Sequence, residues 1–446
     1  MGFFNKPFLA PGCAVFADFF GLACMVPTLP IFLVAWASSQ GLVGDDGVVW
    51  ARRWVGLILT AQSFAKMPGH LFWGVQSAKL GSRAAMAIVM SLNAIMFAAS
   101  AFFAVSGLPL DAVAALLAVR LLAGFFVPTV PAFCFLFDRQ EPGPALVASI
   151  GKFGGFILSG LTLGGAVVAV PFGEPFAVWG GVTGLSTGIA LLALVPVFYA
   201  PPVLEDVVAM RKQKPEGIRR ALVTNEFISH GLTSLASGWT VPIQTALPAV
   251  HYALYFEFSV PLIAVCATAA SILTFFTAVY VVPKLVARYS ISRSIYVGHV
   301  WQVVACVCLS LPWINRHPVA FPVMVGALTP GLCLAVNPNQ NRASTIGRMH
   351  TTNGTGALTG VSRVLFSLGE CLAPIVCINL LYPIGSVDPT SARIGTMLPY
   401  MLTAVVHILV LLAYVALRIS PHTDPSPAVK PPAKATATAK VSSASA

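Results

Sequence analysis

Residues 74–85 read GVQSAKLGSRAA, and residues 283–294 read PKLVARYSISRS. Each is a short basic stretch between two long apolar runs. About 20 apolar residues suffice for a helix to cross a hydrocarbon core of about 30 Å, so each stretch reads as a tight hairpin between two membrane spans. Outward from these hairpins, hydropathy and loop signals place spans at 8–34, 53–76, 84–106, 112–137, 146–170, 176–199, 222–248, 259–283, 295–314, 319–337, 358–383 and 394–417. The first hairpin then joins spans two and three, and the second joins spans eight and nine, the same place in a second set of six. A duplicated six-helix half rocking about a central cavity gives this symmetry. Two independent hairpins that each obey the positive-inside rule give it too.

Composition fits an all-α integral membrane protein of twelve transmembrane helices in two six-helix halves. Of the 446 residues, 57% are hydrophobic and 9% charged, whereas soluble domains carry roughly 25% charged residues. A barrel would alternate apolar and polar residues instead. The net charge of +11 sits in clusters between apolar runs, without an aromatic-interleaved basic face, so the lipid bilayer and not nucleic acid is the expected partner. With the amino terminus cytoplasmic, most lysines and arginines fall on the cytoplasmic side. Arg52, Arg53, Arg316 and Arg393 fall opposite, which predicts a multi-pass protein with both termini cytoplasmic. The choice between plasma membrane and an internal membrane stays open.

The expected organisation is a first half over 1–199, a cytoplasmic loop over 200–221, a second half over 222–418 and a low-complexity, disordered tail over 419–446. All nine cysteines lie in apolar runs without metal-ligand spacing, so no metal, cofactor or disulfide scaffold is expected. No cleavable signal peptide is evident. Asn353 begins an N-glycosylation acceptor, but the topology puts it in a cytoplasmic loop, which predicts no glycan. No phosphate-cradling loop, nucleophile elbow or metalloprotease helix occurs, and the chain reads as neither an enzyme nor an ATP-driven pump.

Residues 15–32, VFADFFGLACMVPTLPIF, carry a lone Asp18. An aspartate at a helix centre costs about 2.5 to 3.5 kcal/mol on the insertion scale, so it is expected to have a partner or a task. Lys66, Arg120 and Glu370 also fall inside spans, and two acids with two bases can neutralise one another. On the functional reading Asp18 is protonatable and exchanges its proton for contact with Arg120 or Lys66. On the other reading it belongs to a permanent structural ion pair. His70 lies four residues from Lys66 and His230 four from Glu226, each pair on one helix face. His70, His230, Trp239 and Arg363 are candidates for a solute cavity, with plain packing the competing role for the histidines and the tryptophan. Arg363 and Glu370 are two turns apart on one face.

Several segments resemble the major facilitator superfamily. GVQSAKLGSR is similar to its cytoplasmic hairpin signature. DFFGLACMVPTLP, at 18–30, resembles the first helix of the twelve-helix drug:proton antiporter branch. RLLAG, at 120–124, is similar to its fourth-helix arginine motif. GGFILSGLTLGG, at 154–165, resembles its fifth-helix antiporter motif, and GTGALTGVSRVLFSLGECLAP, at 354–374, its eleventh helix. The resemblance implies a cytoplasmic gate around Gly74, Lys79, Gly81, Arg83 and Asp138, and close helix packing at Gly160, Gly164 and Gly165. Three positions depart from the pattern. Ala78 and Ala287 stand where an acidic residue is expected, and Leu161 where the fifth helix has proline.

Together these features predict a monomeric secondary transporter that moves a small organic solute by alternating access, coupled to protons and with antiport favoured. An uncoupled facilitator and a transporter-like receptor or scaffold without flux are the alternatives. The identity of the solute is not written in the sequence.

Overall fold

A computed structural model describes residues 8–105, 108–139, 144–169, 173–200, 217–350, 355–382 and 396–419. Asn353, residues 201–216 of the central loop and the tail from 420 onward lie outside the described residues, as do the side chains of Ala78 and Ala287. The first six spans are α1 (Leu9–Ser39), α2 (Asp45–Leu80), α3 (Ser82–Ala101), α4 (Val113–Phe125) with α5 (Thr129–Arg139), α6 (Pro144–Ala169) and α7 (Pro175–Tyr199). A short α8 (Ile218–Leu222) leads into the second six. These are α9 (Asn225–Gln244) with α10 (Ala246–Leu254), α11 (Val260–Phe276) with α12 (Val282–Tyr289), α13 (Ile291–Leu309), α15 (Ala320–His350), α16 (Thr355–Ala373) and α17 (Leu398–Ala416). A one-turn α14 (Pro312–Asn315) precedes α15. Among the described residues, nine of these spans are long and apolar enough to cross a membrane by composition alone. The more polar α2, α9–α10 and α13 complete the twelve.

The sequence reads spans four and seven as continuous helices, and the structure breaks both at prolines. Pro128 has no N–H and forces its predecessor out of the helical region, so α4 stops at Phe125. The indole of Trp73 donates to the Phe125 carbonyl at 3.0 Å, satisfying an acceptor at the break. In span seven, Pro248 cannot donate to the Gln244 carbonyl, and the helix restarts after Thr245 (φ −115°, ψ −62°).

Glycines set the distances between spans. A Cβ on Gly160 would stand 2.5 Å from the Phe16 carbonyl oxygen, and one on Gly164 2.5 Å from that of Phe20, so α6 lies directly on α1. One on Gly165 would meet Thr268 Oγ1 of α11 at 2.7 Å, so the third glycine faces the opposite half. The halves also meet along α2 and α16, which run antiparallel. Gly74 faces the Gly356 carbonyl, Gly360 faces that of His70, and Gly56 faces the side chain of Asn379.

The two cores differ in chemistry. The first half is filled at its Gly41 end by Phe32, Trp36 and Trp179, with Phe32 stacked on Trp179 at 4.6 Å. The second half is threaded by a buried hydrogen-bond chain. Arg342 meets Tyr414 Oη at 3.2 Å, Tyr414 meets Thr233 Oγ1 at 2.9 Å, and Thr233 meets His299 Nε2 at 3.2 Å. His299 Nδ1 lies 2.8 Å from His407 Nδ1. His407 Nε2 lies 2.8 Å from Thr240 Oγ1, which donates to the Ala236 carbonyl at 2.8 Å. An arginine only donates and a carbonyl only accepts, so the two ends fix the polarity of the whole chain. With both histidines neutral, this polarity puts the proton on Nδ1 in His299 and on Nε2 in His407.

Candidate functional site

Between the halves lies a cavity of about 230 Å³, walled by residues of both. The first half presents an apolar face from α1, α5 and α6. The second half brings Gln244 at the break after α9, Asn337 and Gln340 on α15, and Arg363, Phe366 and Glu370 on α16. The span-seven break thus turns an amide side chain toward the space between the halves.

The charged residues sit in and beside this wall. Lys66 Nζ donates to Glu370 Oε2 at 2.9 Å. Both side chains are largely sheltered, at 14% and 10% exposure, and the pair joins α2 of one half to α16 of the other. Asp18 accepts from Asn93 Nδ2 at 3.0 Å. Arg120 donates to Gln62 Oε1 at 2.7 Å and lies 3.2 Å from Met25 Sδ. The structure therefore differs from a direct pairing of Asp18 with Arg120 or Lys66. Each of these contacts is held by a neutral neighbour of the same half, although both bases lie within electrostatic reach of Asp18. Of the four, Glu370 alone reaches the cavity wall.

Arg363 is buried against two rings, with its guanidinium carbon 4.7 Å from the centre of Phe133 and 5.3 Å from that of Phe366. Its Nε is buried and unpartnered. The other three cavity candidates are placed elsewhere among the described residues. His230 is held by Asn339 Oδ1 at 2.9 Å and Ser362 Oγ at 2.7 Å inside the second half. The Trp239 indole donates to Thr403 at 3.0 Å. His70 is buried one turn beyond Lys66 on α2, and none of the three contributes to the cavity wall.

The hairpin residues form contacts inside the first half. Ser82 donates to Asp138 Oδ2 at 2.8 Å, and Arg83 donates to the Phe198 carbonyl. Lys79 is exposed and Gly81 takes a positive φ of 85°. Inter-half contacts at this end include Gly74 against Gly356 and Gly151 against Pro283. Among the described residues, no cluster of His, Cys, Asp and Glu side chains is arranged to hold a metal ion.

Residues 12–374 match the family profile of the Major Facilitator Superfamily. The chain belongs to the major facilitator superfamily. It is accordingly a membrane transporter of small solutes of this type. Solved structures carry the same fold. The human organic anion transporter MFSD10 is 15% identical, with 91% of this chain and 98% of that one covered at a TM-score of 0.67. The xylose transporter XylE from E. coli is 13% identical, with 93% and 98% covered and a TM-score of 0.67. The nucleoside transporter NupG is 12% identical, with 92% and 100% covered and a TM-score of 0.62. No curated protein matches the chain in sequence.

Asn93, Gln62 and Met25, which hold the buried charges, are not singled out by the sequence, and neither are Phe133 and Phe366. A lone amide inside an apolar run is the signal that points to Asn93. Nothing local marks the two phenylalanines among the 29 in the chain.

Proposed function

We propose that the chain is a proton-coupled secondary active transporter, with antiport the favoured mode and a monomer the working unit. The observation that supports this is the Lys66–Glu370 pair, a titratable contact that bridges the two moving bodies beside the cavity. In an alternating-access cycle the halves must separate at one end while closing at the other. An ion pair across them resists that motion, and removing its negative charge lowers the resistance. A proton on Glu370 does this. Lys66, freed, then has Asp18, whose charge already feels it electrostatically, as the acid of its own half to turn toward. The proton thus moves the lysine's contact from an inter-half to an intra-half partner, and loss of the proton restores it. The positive-inside bias gives the Gly81 end as cytoplasmic, with both termini on that side.

The test reads the distance between labels at Lys79 and Arg293, exposed positions on the two hairpins. In the native background this distance changes on acidification. In Glu370→Gln, which mimics the protonated acid, it stays at its acid value at every pH. A Glu370→Gln protein that follows pH as the native one does would remove Glu370 as the coupling group. A native protein that ignores pH altogether would favour the uncoupled facilitator.

A further inference from the structure

Among the charges in and beside the cavity, Glu370 offsets Lys66 and Asp18 offsets Arg120 in total charge. Arg363 is left over. Among the described residues it makes no ion pair and no hydrogen bond, and its nearest acid along α16, Glu370, is already engaged by Lys66. It is 8% exposed and lines the cavity. A buried charge without a partner is costly, and a guanidinium stacked on rings keeps its N–H edge free for an anion. Phe133 and Phe366 flank it at 4.7 and 5.3 Å from the ring centres. Two more donors on the same wall, Gln244 Nε2 and Asn337 Nδ2, are buried and unpartnered. The wall opposite is carbon, with Phe19, Leu22, Val26, Phe153 and Ile157.

We propose that Arg363 anchors the charged end of the solute, and that the cavity takes an organic monoanion, a carboxylate or sulfonate with an apolar body. This rests on the transporter reading above. One uncompensated cation matches one negative charge. A dianion would leave its second charge against the apolar wall, and a cation would face Arg363 directly. The planar N–H fork accepts either oxyanion, and the unpartnered amides supply further donors. The apolar face takes the hydrocarbon part.

The experiment uses three probes of similar shape on the purified full chain: benzenesulfonate, benzenesulfonamide and phenyltrimethylammonium. Benzenesulfonate should raise the thermal unfolding midpoint, and the neutral and cationic probes should not. Arg363→Gln should weaken the sulfonate effect about tenfold or more, as expected for lost charge-assisted hydrogen bonds. Arg363→Lys should retain part of it. Because Arg363→Gln removes an unpaired buried charge, the ligand-free variant should unfold no earlier than the native protein. Stabilisation by the cation, by all three probes equally or by none of them overturns the proposal, and so does a sulfonate effect that survives Arg363→Gln. Sulfonate binding that needs Arg363 without flux in proteoliposomes upholds the anion site and removes the transport reading. Flux indifferent to Arg363 does the reverse.

Discussion

In the first half Phe32 lies flat on Trp179, and the indole N–H reaches the Ser100 carbonyl at 3.0 Å. In the second half two histidines face each other Nδ1 to Nδ1 at 2.8 Å inside a run of hydroxyls that ends on Arg342. Both halves pack rings, the second around His251, Phe256 and Phe321, but the second half adds a long chain of directed hydrogen bonds. The difference matters for the proposed cycle, in which the halves move as bodies. An apolar core tolerates small shifts, whereas a chain with one polarity and no free ends has a single arrangement in which all its members are satisfied.

Truncation should expose the contrast. Trp179→Ala removes a large buried side chain and leaves its volume behind, an expected loss of about 3–5 kcal/mol. His407→Leu keeps the volume but leaves the His299 Nδ1–H and the Thr240 hydroxyl each short of a partner, an expected loss of about 1–3 kcal/mol. Replacing both histidines by leucine should cost less than the two single changes together, because the second removes a group the first has already orphaned. Thermal unfolding of the purified variants measures all of these. Additive histidine losses would mean that the pair is not one unit.

Much of this fold is legible because lipid imposes a simple code. Long apolar runs give the spans, and the basic hairpins at 74–85 and 283–294 give the repeat. The same code hides the breaks at Pro128 and Thr245, since a broken helix is still an apolar run. Of the site, the charges announce themselves because ionised groups are rare in such runs. Their partners do not. Lys66 and Glu370 are 304 positions apart, and only the folded antiparallel contact of α2 with α16 joins them. Asn93 and Gln62 stand out as amides in apolar runs, but nothing local says that one holds Asp18 and the other Arg120. His230 looks like a cavity residue by its spacing from Glu226, yet Asn339 and Ser362 hold it inside the second half.

The hairpins sharpen the comparison at a single residue. Gly81 sits at φ 85°, ψ 141°, and Ser290, at the matching turn of the second half, at φ 127°, ψ 162°. This is backbone that glycine adopts freely and serine adopts under strain. Ser290 offsets part of that strain by capping α13, its hydroxyl accepting from the Arg293 N–H at 3.2 Å. Ser290→Gly relieves the strain and loses the cap, so stability should rise by no more than about 1 kcal/mol. Gly81→Ser should lower it by about 1 kcal/mol or more. Equal and opposite shifts would show that the cap contributes nothing.

Asp18 and Glu370 make the final contrast, between an acid held inside its own half and one that reaches across. In Asp18→Asn the new amide oxygen can still accept from Asn93 and no direct ion pair is broken, so stability should fall less than in Glu370→Gln. Glu370→Gln, in contrast, leaves Lys66 without its partner. The smaller structural effect of Asp18→Asn is what makes it informative. If Lys66 turns to Asp18 when Glu370 is protonated, the amide offers no negative charge to receive it. The variant should then remain folded and exchange solute across the membrane, but lose acceleration by a pH gradient. A folded Asp18→Asn protein with native gradient-driven uptake would show that Asp18 takes no part in coupling, and that the inter-half pair carries it alone.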